Sequence, residues 1–417
     1  MINSNRVDLG EATLAISDAV DLVGINVLQH GKRVAFMALE TARAFGIEES
    51  WQRELFRAAL IHDCGVSSSE THKRLVNELD WAGSREHCER GYKLMHDFEP
   101  FANLAELILH HHTHWESPLR QAIKPEIFLL SNLIHLADRV DALVTQHQNS
   151  DLLLARKPIL TCITALSGSF FDPALVKAFL ETSASEAFWL TLESHHLERQ
   201  IHETVLHFAD TRELTSAELM QLAKIFARIV DDKSRFTAEH SIGVSRLSRL
   251  LGQLSGLPDK DCELLEIAGL LHDIGKLRVP DEVLDKPGPL NEAEFAVIER
   301  HTFETWQILR RVRAFDHVAE WASFHHESIC GNGYPFHRHD SEIPIQARIV
   351  AVADIFQAMA QDRPYRPTAG PDGVRAVLAR MTASGHLDST LIASVEANFA
   401  ACWEAATGKE CIKTTGY

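Results

Sequence analysis

The chain has 417 residues, 45% hydrophobic and 24% charged, enough for two globular domains with buried cores. Its 41 basic and 58 acidic side chains leave a net charge of −17, which argues against DNA or anionic membrane as partners but not against a small anionic substrate beside a bound metal ion. Seven scattered cysteines without a C-x-x-C pair argue against a disulfide framework or zinc ribbon. With no signal-peptide core and no apolar run near the ~18 residues that span a bilayer, the expected location is cytoplasmic.

Apolar periodicity predicts helix nearly throughout, an all-α chain without a sheet of any size. The first half carries His30, His62-Asp63, His87, His111-His112 and Asp138 in order, with neighbouring His110 and His114 blurring the register of the histidine run. Residues 186–214 read as a connecting helix, its His195, His196, His202 and His207 at the surface. Thr215 with Glu218 predicts a capping box opening the second half, and Asn291 with Glu294 another, opening a helix that runs toward Arg311. Leu264, Leu265, Ala268, Leu271 and His272 fall on one helical stripe. The string 349–353 fits strand or buried helix by pattern. Its helical surroundings, and the need for Asp354 to face inward, favour helix.

The second half repeats the first. His30 precedes His62-Asp63 by 32 residues, as His240 precedes His272-Asp273. His87 precedes His111-His112 by 24, as His301 precedes His325-His326. Asp138 and Asp354 each stand 34 residues before a further aspartate, Asp172 and Asp388. The expected architecture is therefore two tandem copies of one helical domain, 1–185 and 215–417, joined by a helical linker at 186–214.

Histidine and aspartate ligate manganese, iron, cobalt, nickel or zinc, and the absence of cysteine from the set argues against a purely structural zinc. Adjacent His272 and Asp273 project about 100° apart on a helix. One can bind a single ion while the carboxylate bridges two. Seven ligands, His240, His272, Asp273, His301, His325, His326 and Asp354, exceed one tetrahedral shell. They suit two ions ~3.5–4 Å apart that clamp an in-line attack on phosphorus.

The motifs of residues 230–400 resemble the HD-GYP phosphodiesterases: His272-Asp273-Ile274-Gly275-Lys276, Pro280-Asp281-Glu282, Lys286-Pro287-Gly288, His325-His326-Glu327, Gly331-Asn332-Gly333-Tyr334-Pro335, and Asp354 through Asp362-Arg363-Pro364-Tyr365-Arg366. The resemblance implies an all-helical fold and hydrolysis of bacterial cyclic dinucleotides, cyclic di-GMP by default and 3′3′-cGAMP as competitor. It implies divalent metals, iron or manganese first, with nickel, cobalt, zinc or magnesium as alternatives. By it, His240, His272, Asp273 and Asp354 would hold one ion, and Asp273, His301, His325 and His326 the other. Asp273 and Lys276 would carry catalysis, Lys276 touching the scissile phosphate, with Tyr334, Arg363 and Arg366 contacting bases or phosphates. Glu299 and Glu327 are candidates to orient ligating imidazoles. A reading from another class is a non-catalytic signalling protein that binds the nucleotide or a diguanylate cyclase-type partner through the Gly-Tyr-Pro loop.

Two departures stand out. Three-metal members carry a glutamate four residues before the first histidine; Phe236 stands there, so two ions are expected. Cys330 occupies a place where aspartate is common. The first half resembles the broader HD phosphohydrolase superfamily. It offers a second candidate metal set, His30, His62, Asp63, His87, His111, His112 and Asp138, but Val66 replaces Lys276 and the Gly-Tyr-Pro turn is missing. It could be a structural copy, a second phosphohydrolase such as a phosphomonoesterase trimming the linear product, or a metal- or nucleotide-sensing regulator.

Overall fold

The computed structural model describes residues 5–23, 29–66, 68, 70–71, 74–75, 78, 81, 83–147, 151–231, 237–286, 288–361 and 369–411. They form two compact units, residues 6–213 and residues 214–411 together with Asn5.

The first unit runs β1 (Arg6–Asp8), α1 (Leu9–Asp21), α2 (His30–Phe45), α3 (Glu49–Leu60), α4 (Ser84–His96), α5 (Ala102–His110), α6 (Pro125–Gln146), α7 (Leu152–Ala165), α8 (Pro173–Thr182), α9 (Glu186–Leu190), α10 (Ser194–His207) and β2 (Thr211–Glu213). The two strands pair antiparallel, Arg6 opposite Glu213 and Asp8 opposite Thr211. Helix α2 is central. Its small residues Ala35, Ala38 and Ala42 are fully buried, and it packs against α3, α6 and α8. Proline opens α6, where the missing N–H costs nothing.

Of residues 186–214, expected as a separate linker, 186–213 pack into this unit instead. Phe188, Trp189, Leu197, Ile201 and Val205 are buried, and the Trp189 indole donates to Ser183 O at 2.8 Å. Apolar residues on one face of α10 had a surface to cover, so the boundary falls at 213/214. His195, His196, His202 and His207 are exposed on its outer face.

The second unit runs α11 (Ser216–Asp231), α12 (Thr237–Leu254), α13 (Asp259–Leu271), α14 (Asp281–Leu284), α15 (Glu292–Leu309), α16 (Asp316–Ser323), α17 (Ile345–Ala360), α18 (Gly370–Ala383), α19 (Ser389–Ala397) and α20 (Phe399–Thr407). Both capping boxes form: Thr215 and Glu218 exchange hydrogen bonds, as do Asn291 and Glu294. The ambiguous string 349–353 is helical and buried in α17, packed on α12 and α13. Asp172 and Asp388 occupy equivalent places too, as N-caps of α8 and α19.

One glycine in each unit sets the distance between the histidine-bearing elements. A Cβ on Gly65 would lie 2.0 Å from His87 O, and one on Gly275 1.9 Å from His301 O. Only glycine lets the His-Asp turn approach the next histidine helix that closely.

Candidate metal centre

In the second unit, α12 presents His240, the end of α13 presents His272 with Asp273 behind it, α15 presents His301, the end of α16 presents His325 and His326, and α17 presents Asp354. Five of these seven residues are buried outright; His326 and Asp354 are partly open. Asp273 lies between two imidazole pairs. Its Oδ2 faces His272 Nε2 at 3.3 Å and His240 Nε2 at 3.9 Å; its Oδ1 faces His301 Nε2 at 3.5 Å and His325 Nε2 at 3.9 Å. Asp354 Oδ1 completes the first group, 3.1 Å from His240 Nε2 and 3.8 Å from His272 Nε2. His301, His325 and His326 form a tight donor cluster on the other side.

The imidazoles are aimed from behind. Nδ1 of His272, His301 and His325 lies 2.8, 2.6 and 2.6 Å from the carbonyls of Gly269, Ile298 and Ala322, each three residues back. His240 Nδ1 lies 2.5 Å from Gln357 Oε1. With the Nδ1 protons so placed, every Nε2 presents a lone pair. Yet His240 and His272 meet Nε2 to Nε2 at 3.3 Å, as do His301 and His325. Facing lone pairs at that distance call for a cation between them, and buried Asp273 Oδ1 accepts no hydrogen bond. The donor set fits divalent metal ions.

Electrostatics agree for the second pair, whereas His272, which burial lowers, is raised by the Asp273 and Asp354 carboxylates. Burial holds His301 and His326 down to about 3 and His325 well below its usual range. Burial works against ionised Asp273, but the His272 and Lys276 charges keep it well below the ordinary carboxylate value. Lys276 Nζ lies 2.5 Å from Asp273 Oδ2. Tyr334 sits at the rim, its ring 4.9 Å from that of His326, its hydroxyl pushed up by burial.

Glu327 does not orient an imidazole. Its carboxylate accepts from Phe336 N at 2.6 Å and Arg338 N at 2.9 Å, pinning the chain after the Gly-Tyr-Pro turn. Nδ1 of His240, His272, His301 and His325, which Glu299 or Glu327 was expected to orient, faces Gln357 or a main-chain carbonyl instead. Cys330 Sγ contacts Asn332 Oδ1 at 3.0 Å inside the loop. Arg363, Arg366 and Phe236 lie outside the described residues.

The first unit repeats the geometry. His30 and His62 meet at 3.3 Å, His87 and His111 at 3.2 Å. Asp63 Oδ2 faces His30 at 3.5 Å, and its Oδ1 faces His62, His87 and His111 at 3.6, 3.4 and 3.9 Å. Asp138 Oδ1 lies 3.5 Å from His30, and its Oδ2 4.0 Å from His112. His111 and His112 thus join the cluster, whereas half-buried His110 lines an adjoining cleft. The counterpart of Gln357 is Asp141, 2.7 Å from His30 Nδ1 and paired with Arg33. Both stand three residues after the last aspartate, Asp138 or Asp354, on the same inward helix face; that shared offset was the signal available in sequence.

A helical unit closing a buried histidine–aspartate cage around a central carboxylate defines a metal-dependent hydrolase. The chain belongs to the HD domain family, which residues 15–175 and 224–391 match separately, and divalent metal binding goes with it. It is 36% identical over 388 residues to a 3′3′-cGAMP-specific phosphodiesterase of Vibrio cholerae, covering 92% of this chain and 90% of that one. A cyclic di-GMP phosphodiesterase of Pseudomonas aeruginosa is 35% identical over 187 residues, 44% of each chain. The crystal structure of a cyclic GMP-AMP-specific phosphodiesterase from Vibrio cholerae superposes with a TM-score of 0.68 at 25% identity, covering 94% of this chain and 98% of that one. Among the described residues no helix is long and apolar enough to cross a membrane.

Proposed function

We propose that the second unit hydrolyses one 3′,5′-phosphodiester bond of 3′3′-cGAMP, leaving a linear dinucleotide. The observation that carries the reaction is Asp273, buried between two imidazole pairs with Oδ1 unbonded and Lys276 at its other oxygen. The proposed ligands are His240, His272, Asp273 and Asp354 for one ion, and Asp273, His301, His325 and His326 for a second, with iron or manganese the first choice. When bound, two such ions lower the pKa of water and offset phosphoryl charge.

The chain's own groups do the rest. Main-chain carbonyls and Gln357 hold the imidazoles in the tautomer that ligates. Lys276 places an ammonium beside the reacting phosphate, where it stabilises charge on the phosphoryl oxygens or protonates the leaving oxygen. Tyr334 offers a ring face at the rim against which a base can stack.

The choice of 3′3′-cGAMP over cyclic di-GMP, the default expected from motifs alone, rests on the relative that matches along nearly its whole length. Parallel hydrolysis assays of both nucleotides with manganese- or iron-loaded protein test it. Faster turnover of cyclic di-GMP overturns the substrate. No turnover of either, with metal bound, overturns the reaction and revives a nucleotide- or cyclase-binding role.

One observation favours a second activity. A cleft of about 760 Å³ opens on the first unit's cage beside His112, lined among others by Trp81, Arg85, His110 and Glu116. A ring, a guanidinium and a metal cage suit a nucleotide phosphomonoester. We assign this unit release of the terminal phosphate from the linear product. Phosphate release from that dinucleotide, lost in His62→Ala and kept in Asp273→Ala, is the expected result; its persistence in His62→Ala would refute the assignment.

A further inference from the structure

An aromatic side chain recurs at one place beside both cages. Phe295 stands six residues before His301, on α15, and Trp81 stands six residues before His87, just ahead of α4. Neither is buried in a core. Phe295 is 46% exposed, and its ring meets that of Tyr334 edge to face, with 6.3 Å between centroids and 85° between planes. Tyr334 in turn lies 4.9 Å from the His326 ring and 6.5 Å from that of His301. A line of rings therefore leads from solvent to two imidazoles of the cage. Trp81 lines the cleft that opens beside His112, the counterpart of His326, and its ring lies over Gly83, where a Cβ would lie 2.3 Å from it.

Both walls of the Phe295–Tyr334 corner are held. The capping box of Asn291 and Glu294 closes the first turn of α15, and Phe295 N donates to Asn291 O at 2.9 Å. Tyr334 N donates to His326 O at 3.2 Å, which ties the second ring to the cage itself. Rigid rings of this kind lose little entropy when a flat ligand lies against them. The plain alternative is that Phe295 only braces Tyr334, since single exposed apolar side chains are ordinary. The first unit argues against it: the Gly-Tyr-Pro turn is missing there, leaving no such tyrosine to brace, yet Trp81 stands at the matching position. What suits both positions is a flat ring presented beside a metal cage. We propose that Phe295 and Tyr334 form the corner on which one purine of the cyclic dinucleotide stacks while the phosphate next to it lies at the cage. Every base offers a π-face, so the corner holds adenine and guanine alike and serves 3′3′-cGAMP and cyclic di-GMP equally.

The proposal rests on the second unit hydrolysing a cyclic dinucleotide, and the test separates the two. Full-length manganese-loaded protein is assayed for kcat and KM with both nucleotides as wild type, Phe295→Ala, Phe295→Leu and Phe295→Trp. Alanine substitution under a stacked base weakens binding roughly 5–150-fold. Expected is a KM rise of that size in the alanine and leucine variants, with kcat at saturation preserved, because stacking of a base away from the reacting phosphorus is made in ground state and transition state alike. The tryptophan variant, which restores a π-face, should keep the wild-type KM. Leucine packs against Tyr334 but cannot stack, so a leucine variant with wild-type KM shows bracing and overturns the proposal. An alanine variant with wild-type KM, or one in which kcat alone falls, refutes base stacking and leaves the reaction standing. Wild-type protein that turns over neither nucleotide removes the reaction and the proposal together.

Discussion

Replacing Gln357 with alanine asks whether the second cage depends on a residue that no motif marks. Gln357 is 2% exposed, and its amide oxygen accepts the Nδ1 proton of His240, turning Nε2 toward Asp354, 3.1 Å away. Truncation leaves a buried N–H without an acceptor, at a cost of about 1–3 kcal/mol. It also frees the ring to rotate or adopt the other tautomer. Removing such a partner typically weakens metal affinity or activity ~10–100-fold, equivalent to about 1.4–2.7 kcal/mol. Asp141 performs the same task in the first unit, so Gln357→Glu should keep most function. The assay is turnover of 3′3′-cGAMP as a function of added Mn²⁺. The alanine variant should need roughly 10–100-fold more metal for half-maximal rate, recovering partly at saturation. Metal titrations identical to wild type, or a glutamate variant as impaired as alanine, would show that Gln357 does not act through His240.

Asp273→Ala should abolish cyclic-dinucleotide turnover and lower metal content of the whole protein without removing the first unit's share; full activity would contradict the bridging role. Lys276→Met should cut kcat by about 100-fold while metal content stays constant, as expected for a lost charge-stabilising donor. If KM alone rises, Lys276 only binds substrate. Gly275→Ala drives a methyl into His301 O and should cost about 3 kcal/mol, a fall of roughly 6–12 °C in the melting temperature of the second unit. In metal-free protein, His301 and His326 are held near 3 by burial, so between about 6.5 and 3 the unfolded chain binds protons that the folded one does not. Their contribution to stability is whole above about 6.5 and drains as pH falls; a second-unit melting temperature that rises from pH 7 to pH 5 would contradict this.

Which residues gather in each cage was legible because the cage is built from spacings. The intervals of 32 and 24 residues between histidines survive in both halves, and each corresponds to an imidazole pair meeting at 3.2–3.3 Å. Capping boxes were legible because their chemistry is local. The linker was not: the pattern of α10 predicts a helix but does not say which surface its apolar face will cover. The role of Glu327 was misjudged because proximity in sequence to His326 says nothing of direction, and its carboxylate turns to the loop. Gln357 and Asp141 escaped notice because glutamine and aspartate one helical turn past a ligand are common without such a task.

Nδ1 of His62, His111, His272, His301 and His325 points at the carbonyl oxygen three positions earlier in its own helix. The aim of each ring is therefore written in main chain, which every amino acid supplies alike. Walls, rims and loops around such a scaffold can be rebuilt wholesale without unsettling what it grips. A protein engineer could graft new recognition surfaces onto either half and expect the inner framework to tolerate the exchange.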